Sequence, residues 1–302
     1  MTTAELARPY SSSPFARAKA FLKRHWFETI LISPLFIYVF GTTLIPVFAS
    51  IVLGFQDPPR GGGFPSLESY RLVVQDYQFV SAFNNTLIIT FLSVSLELLL
   101  GLMVALMMSR PFTGRGIFRA VMVLPLGIPV VVAASNMRYI FLFSGYLNEA
   151  LIDLSLISQP IDWLKEPLAL FTVAISDMWK VTPLVMLILL AGLESIPREL
   201  YEAAQVDGAG LWQRFRHITL PLLKPAITSA VVIRGIDAFR IFGLPMGLGV
   251  GRTVPVLSTF GYYEFQRVYY TTSAATSTIL LVMILVAVVL YIRIAGTEEI
   301  TG

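Results

Sequence analysis

Six apolar runs of about 20 residues or more divide this 302-residue chain, near 28–54, 80–108, 117–143, 167–193, 225–247 and 271–293. A helix rises 1.5 Å per residue, so about 20 apolar residues match the roughly 30 Å hydrocarbon core of a bilayer. With no water in that core, each backbone N–H and C=O needs a partner within the chain, and a helix supplies one. The expected fold is therefore all-α, a polytopic membrane protein with six transmembrane helices. Only 14% of the residues are charged, against about 25% in ordinary soluble domains. Pro34, Pro46, Pro125, Pro129 and Pro183 lie inside runs, where they predict kinks that neighbouring helices re-satisfy.

Lys and Arg set the orientation. Thirteen basic residues fall on one side: Arg8, Arg17, Lys19, Lys23, Arg24, Arg110, Arg115, Arg119, Arg198, Arg214, Arg216, Lys224 and Arg293. Five fall on the other: Arg60, Arg71, Lys165, Arg252 and Arg267. The richer side is cytoplasmic by the positive-inside rule, which puts both termini inside. The expected organisation is a cytoplasmic tail and interfacial helix over 1–27, a membrane domain over 28–293 and a cytoplasmic tail over 294–302. Phe15 to Trp26 reads as a basic amphipathic stretch at the interface, residues 1–12 as a disordered tail. The first run is too long for a cleavable signal peptide. Residues 55–79, with Pro58-Pro59 and Gly61-Gly62-Gly63, read as a turn-rich loop, and 144–166 as a short surface helix. No internal repeat of the kind common in secondary transporters is visible.

Several chemistries are excluded. Cysteine is absent, and His25 and His217 are too few and too peripheral for a metal site. The basic residues mark span ends rather than a nucleic-acid footprint. A P-loop needs Gly-Lys-[Ser/Thr], but the five lysines precede Ala20, Arg24, Glu166, Val181 and Pro225. No Ser-His pair or HExxH lies in the spans, so a membrane-embedded enzyme lacks support.

The loop over 194–224 carries the most information. Ser195 and Pro197 suit a helix cap and first turn, with Glu199 and Glu202 in the early, anion-favouring turns. Ala203 and Ala204 are small enough for another protein to approach the backbone. Asp207-Gly208 permits a sharp turn before Ala209. Leu211, Trp212 and Phe215 give a second short helix an apolar face, and Pro221 and Pro225 are expected to end it and start the fifth span. Composition alone is equally satisfied by an amphipathic connector.

The string Ile196-Pro197, Glu202-Ala203-Ala204, Asp207-Gly208-Ala209, Phe215 and Ile218-Thr219-Leu220-Pro221 resembles the EAA loop of permease subunits of ABC importers. Asn85-Thr86, Gly101-Leu102, Gly116 to Arg119, Leu124-Pro125, Gly145 to Asn148, Trp179, Ala191-Gly192-Leu193 and Asp237-Ala238-Phe239 extend it to the maltose and trehalose type, covering most of 28–293. One departure is Gly247-Leu248-Gly249-Val250-Gly251, where members often carry a Thr-Gly-Gly-Gly-Pro run. The resemblance implies an ABC type I importer permease in a bacterial or archaeal cytoplasmic membrane. It implies no cofactor in this chain, ATP and Mg being bound by two partner ATP-binding subunits docked on Glu202, Ala203, Ala204, Asp207, Gly208, Ala209, Leu211, Phe215, Leu220 and Pro221. A second homologous permease and an extracytoplasmic substrate-binding protein complete the implied assembly.

Ionisable groups within spans are costly and become functional candidates. Asp177 and Lys180 lie three apart in the fourth run; Arg234, Asp237 and Arg240 share one face of the fifth. Asn136 and Arg138 lie late in the third, and Glu97 in the second awaits an arginine that the sequence does not identify. Asn136, Tyr139, Asp177, Lys180, Arg234, Asp237 and Arg240 either border a water-filled substrate pathway or, as Asp177–Lys180 and Arg234–Asp237 pairs, only fix helix packing. Tyr139, Trp179 and Phe239 stack on sugar faces or simply pack. The expected substrate is a sugar, a di- or oligosaccharide, with glycerol-3-phosphate or another polyol as the alternative. A stand-alone ion-coupled transporter is the competing class.

Overall fold

The computed structural model describes residues 24–295, so the expectations for 1–23 and 296–302 fall outside it. The described residues contain helices and no strand. Among them, six helical stretches are long and apolar enough to cross a membrane: Trp26–Gly54, Tyr77–Met108, Val130–Asp153 (interrupted between Phe141 and Tyr146), Leu168–Glu194, Leu211–Phe239 and Tyr270–Ala295. The chain divides into a unit ending at Val52 and a larger unit from Leu53 onward. The first unit holds helix α1 (Trp26–Val39), a π-helical turn at Phe40–Leu44, and most of α2 (Ile45–Gly54).

The second unit contains α3 (Glu68–Gln75), α4 (Tyr77–Met108), α5 (Arg115–Gly127), α6 (Val130–Phe141), α7 (Tyr146–Asp153) and α8 (Leu168–Glu194). After these come α9 (Arg198–Val206), α10 (Leu211–Arg214), α11 (Leu220–Phe239), α12 (Gly243–Leu248), α13 (Leu257–Gln266) and α14 (Tyr270–Ala295). Three expectations change. The run 117–143 is not one helix: it breaks at Ile128–Pro129 into α5 and α6, because proline disfavours helical backbone in the residue before it. The run 225–247 ends as a helix at Phe239, and α12 is a separate short element. The turn-rich segment 55–79 closes with α3.

α4 packs along α8, and α11 crosses both. Side chains are small where these helices meet. A β-carbon on Gly101 would fall 2.8 Å from Val185, and one on Gly192 2.6 Å from Ala226. These glycines permit the close crossings that hold membrane helices together by packing. Gly247, at the start of the departure segment, has the same character: a β-carbon there would press on Ala134, and one on Gly243 just before it would lie 2.9 Å from Val130. This lays α12 along α6.

Two apolar clusters divide α4 and α8 lengthwise, and α11 joins the inner one. The outer one contains Ile89, Val173, Ile241, Leu244 and Leu248, and the inner one Ala105, Met108, Met186, Leu190 and Leu223. A third cluster joins α3, the start of α4, α13 and α14 through Val73, Phe79, Leu257, Phe260 and Ala275.

Asn148 organises the segment between α6 and α8. Its buried amide donates to the carbonyls of Ile161 (2.8 Å), Phe143 (3.0 Å) and Leu142 (3.4 Å) and accepts from Ile161 N–H and Trp163 Nε1 (both 3.0 Å). Asn148→Leu strands several of these groups without solvent, at about 1–3 kcal/mol each. A marked fall in the detergent-solubilised melting temperature is expected, with membrane insertion unchanged. An unchanged melting temperature would show that other contacts hold the segment.

Candidate functional site

α9 starts behind Pro197, with Glu199 in its first turn, where a carboxylate meets the positive end of the helix dipole. Ser195 does not cap it. Its hydroxyl donates to the Gly192 carbonyl (2.8 Å) and closes α8 instead. α9 ends in a Schellman motif: Gly208 has φ +79°, its N–H donates to Gln205 O (3.1 Å), and Ala209 N–H donates to Ala204 O (2.8 Å). Glycine is favoured there because a β-carbon strains left-handed backbone. Gly210 N–H donates to Gln213 Oε1 (2.8 Å) and opens α10.

The second short helix does not stop at Pro221 or Pro225. α10 runs through a π-helical turn at Phe215–Thr219 straight into α11. A proline cannot bond the carbonyl four residues back and crowds it; the wider i→i+5 turn just ahead accommodates this. The turn at Phe40–Leu44 stands in the same relation to Pro46.

Tyr201 Oη and the buried Thr219 Oγ1 meet at 3.0 Å, tying α9 to the turn before α11. Ile196, Tyr201 and Ile218 pack into the inner apolar cluster, so the loop bears on α4, α8 and α11. Its other face is open. Glu202, Ala203, Asp207 and Gly208 are exposed, Ala204, Ala209 and Phe215 half-buried, and Leu220 and Pro221 exposed. Val206 is 88% exposed, Leu211 66% and Trp212 68%, with Trp212 stacked on Phe215 at 5.6 Å. Large apolar side chains are thus left uncovered beside the exposed carboxylates Glu202 and Asp207.

The intramembrane charges separate into two groups. Arg234 Nε and Nη2 donate to Glu97 Oε2 (2.6 Å) and Oε1 (2.8 Å), and Nη2 also donates to Asp177 Oδ2 (2.9 Å). The Arg234, Glu97 and Asp177 side chains are 4%, 0% and 8% exposed. Along α4 and α8 this triad lies between buried residues of the outer and of the inner apolar cluster. It supplies the partner for Glu97 that the sequence did not identify. Asp177 does not pair with Lys180, which donates to the Ile128 carbonyl (2.7 Å) at the break between α5 and α6. The Arg234–Asp237 approach is only 4.0 Å; Asp237 bonds Arg240 at 2.6 Å, both with partly exposed side chains. Asn136 and Tyr139 are exposed on α6, while Trp179 packs against the outer cluster. Sequence reading missed Tyr201 and quoted Thr219 only as part of the loop string, because nothing in the spacing shows that the two side chains meet.

Residues 97–295 match the family model described as the binding-protein-dependent transport system inner membrane component. The chain belongs to this family. The permease is 34% identical over 273 residues to the trehalose/maltose transport system permease protein of Thermococcus litoralis, spanning 88% of this chain and 90% of that one. It is 32% identical over 294 residues to the trehalose transport system permease protein of Mycobacterium tuberculosis, spanning 95% and 94%. In fold it is similar to a bacterial ABC transporter chain involved in alginate import, with TM-score 0.79, 26% identity and coverage of 95% and 100%. The family match on the permease begins at Glu97 and takes in the triad and the loop.

Proposed function

We propose that this permease is the membrane subunit of an ABC importer that moves a di- or oligosaccharide across the cytoplasmic membrane by alternating access. The observation that carries the reading is the loop over α9 and α10: an exposed apolar face, fixed by the Gly208 turn and anchored by Tyr201 and Thr219 to the span core. Two ATP-binding subunits seat on that face, one on each of two homologous permeases, and hydrolyse ATP with Mg. This chain has no P-loop of its own. An extracytoplasmic binding protein delivers substrate; the alginate transporter was solved with an alginate pentasaccharide-bound periplasmic protein. The trehalose, maltose and sulfoquinovosyl glycerol names of relatives support a saccharide. Asn136, Tyr139, Lys180, Asp237 and Arg240 line the pathway, and Asp177 and Arg234 form its fixed frame.

The complex reconstituted in liposomes with its ATPase, second permease and binding protein should take up saccharide only with ATP on the ATPase side. Glu202→Lys should insert normally yet lose at least about tenfold of uptake, since an interfacial charge left unpaired costs roughly 2–5 kcal/mol. Uptake by the chain alone, driven by an ion gradient, would instead establish a secondary transporter.

A further inference from the structure

An outer cavity of about 350 Å³ plays no part in the roles above; Gln78, Arg252, Tyr263, Glu264, Gln266 and Arg267 line it. These residues belong to the start of α4, the loop after α12, and the end of α13. Arg252 and Arg267 are on the side poorer in basic residues, which places the cavity outside the cytoplasm.

Its charges do not cancel. Glu264 bonds Arg267 Nη1 (3.3 Å), accepts from Thr272 Oγ1 (2.8 Å) and has a side chain only 12% exposed, so it is committed to the wall. Arg252 lies 4.8 Å from the centre of the Tyr263 ring. Among the described residues no carboxylate comes within ion-pair distance of it. A guanidinium over an aromatic ring with no carboxylate paired to it keeps donors for a carboxylate ligand. Val268 follows the lining residue Arg267: at φ +69° it takes the position after α13 that glycine usually fills. Val268 N–H bonds Phe265 O (3.0 Å) and Tyr269 N–H bonds Glu264 O (3.0 Å). Strain in a β-branched residue persists where the surroundings over-determine it, as at ligand clamps.

We propose that this cavity is an extracytoplasmic subsite for an acidic saccharide. The sugar carboxylate lies on Arg252, a ring packs near Tyr263, and Gln78 and Gln266 bond hydroxyls. The volume suits one or two sugar rings and falls in the range of small-molecule pockets. The inference rests on the reading of the chain as a saccharide permease and narrows the substrate class.

The test uses the assembled transporter in nanodiscs without its binding protein, titrated calorimetrically with digalacturonate and with trehalose. Digalacturonate should bind at least about tenfold more tightly than trehalose, and Arg252→Gln should remove about that factor while Arg252→Lys keeps most of it. Gel filtration of each assembled variant separates lost binding from lost assembly. Equal affinities for the two sugars, or unchanged digalacturonate affinity in Arg252→Gln, would overturn the subsite. So would absent digalacturonate binding with weakened binding-protein docking in Arg252→Gln, which would make the cavity a protein contact. ATP-driven uptake of a neutral saccharide alongside any of these results removes this inference alone; absence of ATP-driven uptake for every saccharide removes the transport reading beneath it.

Discussion

Replacing Arg234 with leucine is expected to destabilise the permease by about 3–5 kcal/mol, because Glu97 and Asp177 would be left without a counter-charge. Each carboxylate is nearly inaccessible to water, so solvent cannot replace the guanidinium. The variant should accumulate poorly and lose structure at lower temperature in detergent. Glu97→Gln, Asp177→Asn and Arg234→Gln combined should recover much of that stability, since neutral partners of similar size carry a far smaller desolvation cost. The triple variant also separates two roles. Normal assembly with normal uptake assigns the triad to packing; normal assembly without uptake assigns it to the transport cycle. Equal melting temperatures for wild type and Arg234→Leu would remove the premise that these charges join three helices.

The second large effect is expected at Gly208. Left-handed backbone costs an ordinary L-residue roughly 1–2 kcal/mol, more for a β-branched one, while asparagine is tolerated. The space around Gly208 is open, with no atom within 4 Å of an added β-carbon, so only the backbone angle is at stake. Gly208→Val should tilt α10 against α9, insert normally and lower ATP-coupled uptake by about tenfold or more. Gly208→Asn should keep most of it. Equal uptake by the two variants would show that the angle between the two short helices does not govern coupling.

The sequence disclosed the long apolar helices because bilayer thickness imposes a length that few other environments require. It disclosed the Gly208 turn because only glycine sits there comfortably. It misplaced the helix breaks. Prolines mark a disturbance without saying whether the chain breaks, as at Pro129, or widens and continues, as before Pro221. Charge pairing was the least legible feature. Asp177 and Lys180 are neighbours along one helix, yet the partner of Asp177 comes from α11 and that of Lys180 is a backbone carbonyl at a distant break. Local spacing carries no information about which helix crosses which. Ser195 failed as a cap for a simpler reason: its hydroxyl is spent on the carbonyl of Gly192 behind it, and Pro197 holds the cap position of α9.

The continuity of Leu211–Phe239 has a mechanical consequence. Its 29 residues form a lever roughly 43 Å long, with Trp212 near one end and Arg234 and Asp237 near the other. The π-helical turn at Phe215–Thr219 stands close to the Trp212 end, where a pivot would give one short arm and one long one. A tilt of about 10° there would move the far end by roughly 5 Å over some 20 residues of 1.5 Å rise. Under such a tilt a small displacement beside the cytoplasm would be amplified at membrane depth, since α10, the π-helical turn and α11 follow one another with no loop between them.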